Sequence, residues 1–200
     1  MHGGGESGVG LIDLLIALAV LALLLGLAAG GLGAGVRTRA SEMAARHLAL
    51  EIRRTSLAAV LDGADRGLIF PPLESGDEPL CWAVDGDGDG VRRQDIEDAI
   101  DPCSPSFSLA RETPQARIGR PDWPRIRKLP PARGWMGSEE RSVRFGRSRI
   151  LTLSAEGTAT PGSVFITDGK ESLCAVVVSG PSARVRIWCF HRPSEEWIAR

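Results

Sequence analysis

The feature that most constrains this chain is an apolar run from Leu11 to Ala34. Asp13 is its one ionisable side chain, and every other residue is Leu, Ile, Val, Ala or Gly. In a helix this run would be about 36 Å long, enough to cross a hydrocarbon core about 30 Å thick. Apolar residues cover all sides of such a helix rather than one face, which is typical of a helix surrounded by lipid. We therefore expect residues 9–35 to form a membrane-spanning helix.

The residues around Asp13 carry a second signal. A carboxylate within an apolar helix is costly unless it is paired, so Asp13 is a candidate functional residue, the alternative being that it only reaches the headgroups. A short polar leader ends at Gly8, and the helix begins Val9-Gly10-Leu11-Ile12-Asp13. This arrangement resembles the amino terminus of type IV pilins and pseudopilins. The resemblance implies that residues 1–8 are a leader, that prepilin peptidase cleaves between Gly8 and Val9, that Val9 is then methylated, and that Asp13 serves subunit assembly.

The rest of the chain reads as one further helix followed by strands. In residues 36–61, the spacing of Met43, His47, Leu50 and Leu57 predicts an amphipathic helix that packs on a globular domain of residues 62–200. From Ser142 onward, short β-branched and aromatic runs alternate with Gly, Pro and Asp turns, which predicts antiparallel strands. We expect an α+β, type IV pilin-like fold, in which a long amino-terminal helix, membrane-spanning in its first half, packs on a carboxy-terminal antiparallel sheet.

The carboxy-terminal half is similar to the GspH/FimT family of pseudopilins. The similarity rests on Gly157, Pro161, Gly162 and Val164, and on Ala183-Arg184-Val185-Arg186, where that family often has Gly-Arg-x-Arg. It implies a minor pilin or pseudopilin of a type IV pilus or a type II secretion system. Its partners would be other pilin subunits, prepilin peptidase and an inner-membrane assembly platform. The implied localisation is single-pass in the inner membrane, with the carboxy-terminal domain in the periplasm.

The four cysteines suit two disulfides and an oxidising compartment. Cys174 and Cys189 are equidistant from a predicted turn at 180–183, so they would face each other across a hairpin, close enough to be bridged. Cys81 and Cys103 would then close an acidic loop, residues 74–103. Three connectivities are open, of which we favour 81–103 with 174–189; unpaired cysteines buried by packing are the alternative.

The acidic loop contains a candidate metal site. Its segment 85–90 reads Asp-Gly-Asp-Gly-Asp-Gly, which we term the Asp-Gly loop. Carboxylates at positions one, three and five and a glycine at six form the first half of a Ca²⁺-binding loop. The bidentate acid at position twelve would fall on Ile96, which cannot be a ligand, although Asp95 and Glu97 flank it. The candidate ligands are therefore Asp85, Asp87, Asp89, Asp95 and Glu97, and the alternative is a glycine-rich turn with solvated aspartates.

A candidate DNA-binding surface lies near the carboxyl terminus. Arg184 and Arg186 would share one face of a strand with Trp188, and Arg192 lies just beyond. Arginine beside an aromatic ring suits phosphate neutralisation with base stacking. In FimT-like minor pilins, the similar stretch is implicated in DNA uptake during natural transformation. The resemblance therefore implies a DNA-binding tip pilin as the alternative function, whereas the simpler interpretation is a solvated strand face that contacts neighbouring subunits.

Nothing in the sequence favours an enzyme. It contains no Gly-x-Ser-x-Gly, no His-Glu-x-x-His, no phosphate-binding glycine loop and no Cys-x-x-Cys. The chain has only three histidines, and its net charge of −1 gives no general reason to expect a nucleic-acid or strongly acidic partner. We expect a structural, non-enzymatic protein.

Overall fold

The chain divides into two compact units, Met1–Val36 and Arg37–Arg200. The computed structural model describes the backbone of residues 10–70 and 80–200, and within these ranges the side chains of all residues except 27–39, 105–107 and 110. The first element, α1, has the bounds Leu11–Asp62. Its apolar amino-terminal residues belong to the first unit, and its residues from Arg37 onward belong to the second.

The membrane predictions do not hold. Within the part of the chain that the structure describes, no helix combines the length and the hydropathy needed to span a bilayer. The predicted transmembrane helix at 9–35 is therefore wrong, as is the single-pass inner-membrane localisation with a periplasmic domain.

The second unit is built on two antiparallel sheets. The first has four strands in the order β3-β2-β1-β5, and the second has five in the order β4-β6-β7-β8-β9. Two short helices, α2 at Arg93–Glu97 and α3 at Leu109–Glu112, lie in the connections. The strands are β1 Arg66–Ile69, β2 Leu80–Val84, β3 Cys103–Phe107, β4 Arg117–Ile118, β5 Ile150–Leu153, β6 Gly162–Thr167, β7 Leu173–Val178, β8 Val185–His191 and β9 Glu196–Ala199.

The predicted fold class is wrong, because it placed a membrane-spanning helix on a single carboxy-terminal sheet. The structure has a second sheet, whose strands β1, β2 and β3 lie within residues 66–107, where we predicted no strands. These strands have only four or five residues each, and β3 contains Pro105, so their pattern is weak in the sequence. Each is nevertheless paired along its length, β1 with both β2 and β5.

Within the second unit, α1 buries a different face from the predicted one. Its buried face is rich in alanine, and the larger buried residues are Leu48 and Ile52. Small residues allow a helix to approach a sheet closely, and here they pack with the inner sides of both sheets in one apolar core. Met43, Leu50 and Leu57, which we expected to pack on the domain, are exposed instead.

The five-stranded sheet is covered on both faces. One face contributes Val164, Val176 and Ile187 to the core shared with α1. The other face carries Phe165 and Phe190, which form a separate cluster with Ile126, Trp197 and neighbouring residues. The segment around Ile126 thereby becomes a fixed part of the domain surface.

Candidate functional site

The described start of α1 is an exposed apolar surface. Leu11 is 78% exposed, Ile12 71%, and the leucines at 14, 18 and 21 are each more than half exposed. Monomeric soluble proteins seldom expose so many large apolar side chains in one contiguous patch. We therefore interpret this patch as an interaction surface. This surface belongs to the first unit.

Asp13 is an exposed residue of the first helical turn. Its carboxylate oxygen Oδ2 accepts a hydrogen bond from the backbone N–H of Gly10 at 3.2 Å. The side chain thus satisfies one of the N–H groups left free at a helix start, where a negative charge also suits the helix dipole. The predicted cleavage site between Gly8 and Val9 lies outside the described residues.

The Asp-Gly loop brings three carboxylates together. Ligand oxygens of Asp85, Asp87 and Asp89 lie within 4.8 Å of one another. Asp85 accepts hydrogen bonds from the N–H groups of Gly88 (2.8 Å) and Gly90 (3.0 Å), which fixes the turn. The base of the loop is held by buried Asp101, which accepts hydrogen bonds from the N–H groups of Gly86 and Arg92. The predicted triad is therefore assembled on a rigid turn.

The two flanking acids differ in placement. Asp95 and Glu97 both lie on α2; Oδ2 of Asp95 is buried without a hydrogen-bond partner among the described residues, whereas Glu97 is exposed. The pKa of Asp89 lies above its usual value, because loss of hydration and the nearby carboxylates of Asp87 and Asp95 outweigh the attraction of Arg92. A divalent cation would relieve this repulsion, and oxygen donors of this kind are those that Ca²⁺ prefers.

Both cysteine pairs are bridged. Cys81 is bonded to Cys103 and Cys174 to Cys189, with no free cysteine among the described residues. Cys174 lies directly opposite Cys189 in the β7–β8 pair, as the predicted hairpin register required. The 81–103 bridge joins β2 to β3 at the two ends of the segment that contains the Asp-Gly loop. It thereby ties the entrance of that segment to its exit.

The candidate DNA-binding residues differ in exposure. Arg186 is exposed on β8 and Arg184 precedes this strand, but Trp188 is half-buried and packs on the cluster that contains Phe190. The Arg192 guanidinium lies 5.2 Å from the ring centre of Trp123, in a segment for which we predicted no function.

The sequence reasoning also missed a basic and aromatic surface in that segment. The guanidinium carbons of Arg125 and Arg127 lie 5.6 and 5.1 Å from the ring centre of exposed Trp135. The available signal was the excess of arginine in residues 111–149, together with the alternation of Arg125, Ile126 and Arg127.

In comparisons with known proteins, no family model, no curated protein and no solved structure matches the chain.

Proposed function

We propose that this chain is a subunit of a pilin-like filament, in which copies assemble through the apolar start of α1. The observation that carries this proposal is the exposure of the apolar side chains from Leu11 to Leu25. Covering a large apolar side chain contributes about 1.5–3 kcal/mol, so a few such residues suffice to drive association. Because the surface is apolar on all sides, one helix has room for several neighbouring helices, as a filament core requires.

A second row of exposed apolar residues lies on the part of α1 that belongs to the second unit. Met43, Leu50 and Leu57 are spaced seven residues apart on α1 and are each more than 40% exposed. A seven-residue repeat places side chains along one side of a helix, which suits side-by-side packing with another helix. In the single chain these three side chains are exposed to solvent. In the filament they would pack against a neighbouring helix.

The similarity to pilins adds a role for Asp13. Prepilin peptidase would remove residues 1–8, and the new amino group at Val9 would pair with the Asp13 carboxylate of a neighbouring copy. This pairing would leave neither charge alone within the apolar core of the filament. The machine that receives the subunit would be a type IV pilus or a type II secretion pseudopilus.

Substitutions at Asp13 test this role. We expect Asp13→Asn to lower incorporation into sheared, sedimented filaments about fivefold or more, because hydrogen bonds to charged groups contribute about 1.5–3 kcal/mol. Asn can still accept the hydrogen bond from Gly10, so a loss would report the charge rather than the helix start. Asp13→Glu should retain most incorporation. Normal incorporation of Asp13→Asn would contradict the proposed pairing.

We propose in addition that the Asp-Gly loop binds Ca²⁺. The supporting observation is the convergence of three carboxylates within 4.8 Å, with Asp95 close enough to raise the pKa of Asp89. The cation would be held by Asp85, Asp87 and Asp89, with Asp95 as the fourth acid and Glu97 at the rim. Removing the repulsion among these groups would stabilise the loop between β2 and β3.

Isothermal titration calorimetry with CaCl₂ tests this site on the full chain. We expect saturable binding below millimolar Ca²⁺, weakened at least tenfold by Asp87→Asn, because one of the few charged ligands is lost. Asp122→Asn removes an equally exposed acid elsewhere and should leave the affinity unchanged. The absence of heat at submillimolar Ca²⁺ in the unsubstituted chain would refute the site.

A further inference from the structure

Residues 126–136 form a small β-hairpin on the surface of the second unit, which we term the basic hairpin. The N–H of Met136 donates to the Ile126 carbonyl at 2.7 Å, and the N–H of Lys128 donates to the Gly134 carbonyl at 3.0 Å. Between these bonds, Arg127 and Trp135 form a cross-strand pair. Ile126 is buried below, and the indole N–H of Trp197 donates to the Arg127 carbonyl at 2.7 Å. The hairpin is therefore firmly attached to the five-stranded sheet.

The outer face of the basic hairpin is cationic and aromatic. Arg127 and Trp135 lie directly opposite each other, so their side chains share one face, and Arg125 also reaches the Trp135 ring. Trp135 is 42% exposed, and both arginines are exposed. Neither guanidinium has an acidic partner among the described residues. Arginine and tryptophan are the residues most often found at the energetic centre of protein interfaces.

A concave surface adjoins this face. A cavity of about 390 Å³ is lined by Arg127, Lys128 and Arg133 on the hairpin and by Glu196 and Trp197 on β9. Arg127 and Arg133 outnumber Glu196, and Lys128 lies 3.6 Å from Glu140, so the charge around the cavity is net positive. A negatively charged loop would place carboxylates in this cavity, beside the Trp135 ring.

The chain itself supplies a loop with these properties. The described part of the acidic loop carries three exposed acids without a basic partner among the described residues, Asp87, Glu97 and Asp98, and glycines at 86, 88 and 90, whereas exposed Asp89 is paired with Arg92. Among the described residues, no ion pair joins the acidic loop to the basic hairpin of the same chain. The opposite charges are thus available to a second copy.

We propose that the basic hairpin of one copy binds the acidic loop of the next copy. Such a contact joins two different surfaces, so it generates a ring or an open array, unless two copies make it reciprocally as a symmetric dimer. Attraction between exposed charges is screened within about 10 Å at 0.1 M salt, so the contact weakens as salt rises. It is independent of the apolar start of α1 and goes beyond the proposed function. Because Asp87, Asp89 and Glu97 are also candidate Ca²⁺ ligands, Ca²⁺ would compete with this contact, which is therefore tested in Ca²⁺-free buffer.

Zero-length cross-linking tests the contact. Lys128 is one of only two lysines in the chain, the other being Lys170. Carbodiimide treatment of a mixture of ¹⁴N- and ¹⁵N-labelled full-length chains should link Lys128 of one isotope to an acidic-loop residue of the other. Lys128 also lies 3.6 Å from Glu140 of its own chain, so the same-isotope 128–140 link serves as an internal standard. Relative to it, we expect the mixed-isotope link to fall at least tenfold in Arg125→Glu/Arg127→Glu and in 0.5 M NaCl.

The control is Arg184→Glu/Arg186→Glu, which makes the same charge change at exposed arginines outside the hairpin and should preserve the link within twofold. A second variant, Trp135→Ala, keeps every charge and should lower the link severalfold.

The proposal is overturned if Lys128 links only within its own chain, or to acids outside the acidic loop. It is also overturned if a single-stranded oligonucleotide binds the hairpin and displaces the link, because the surface would then take nucleic acid. Asp13→Asn should leave the link intact, so a failure of the filament proposal can be distinguished from a failure of the hairpin contact.

Discussion

Replacing Leu14 and Leu18 together with arginine will abolish assembly of the chain into sedimentable filaments. The two leucines are 56% and 54% exposed in the single chain, and in the proposed assembly both are covered by neighbouring helices. Losing two such contacts removes about 3–6 kcal/mol per subunit, which corresponds to a decrease of at least about a hundredfold in association. The fraction of the chain that sediments after shearing, measured by immunoblot, gives the result.

The matched control for this prediction is Leu14→Ile/Leu18→Ile. It keeps the apolar area at both positions and should sediment like the unsubstituted chain. Because both leucines are exposed, neither substitution removes a contact within the single chain, so the chain level should stay the same. Undiminished sedimentation of the arginine variant would show that this surface is not the site of assembly.

The second large effect concerns the core between the sheets. Phe145 and Phe70 are fully buried, and their rings stack with centres 5.4 Å apart. Phe145→Ala removes the ring and leaves a cavity, so we expect the free energy of unfolding to fall by about 3–5 kcal/mol. Urea denaturation of the full chain, with both disulfides intact and followed by tryptophan fluorescence, measures this change.

Met136→Ala is the surface comparison for Phe145→Ala. Met136 packs only at the edge of the smaller cluster and is half-buried, so its truncation should cost less than half as much. Equal decreases in the free energy of unfolding of the two variants would mean that Phe145 does not lie in the cooperative core. A loss below about 1 kcal/mol for Phe145→Ala would lead to the same conclusion.

The register of the β7–β8 hairpin was predictable from sequence because two strong signals agree there. The strands that flank residues 180–183 are rich in β-branched residues, and the cysteines are symmetric about the turn. In the structure, Val178 is paired with Val185 and Cys174 with Cys189, as this symmetry requires. A one-residue shift would move every side chain to the opposite face, so a buried strand strongly favours one register.

The packing face of α1 was not predictable in the same way. In a helical periodicity pattern, large apolar residues such as leucine and methionine carry the most weight. The pattern therefore predicted that Met43, Leu50 and Leu57 form the packing face. The fold buries Ala44, Ala45 and Ala49 instead, because a sheet approaches most closely where side chains are small. The exposure of Met43, Leu50 and Leu57 is consistent with the proposed packing of α1 against a helix of another copy.

The four-stranded sheet and the basic hairpin were missed for a related reason. Their strands are short, and they lie in segments rich in charge, glycine and proline. In addition, β1 pairs with β5 across more than eighty residues of sequence, so no local pattern reveals it. The Asp-Gly loop was identifiable because its ligand pattern is local, whereas the contacts of Arg125 and Arg127 with Trp135 depend on a cross-strand pair.

The central claim, that copies of this chain assemble through the start of α1, is tested most directly by photo-cross-linking from position 18. With p-benzoylphenylalanine in place of Leu18, irradiation of cells that make the filament, followed by mass spectrometry, identifies the residue in contact. We predict links to apolar residues between 11 and 26 of a second copy of the chain. Links only to unrelated proteins, or only within the same copy, would contradict the claim.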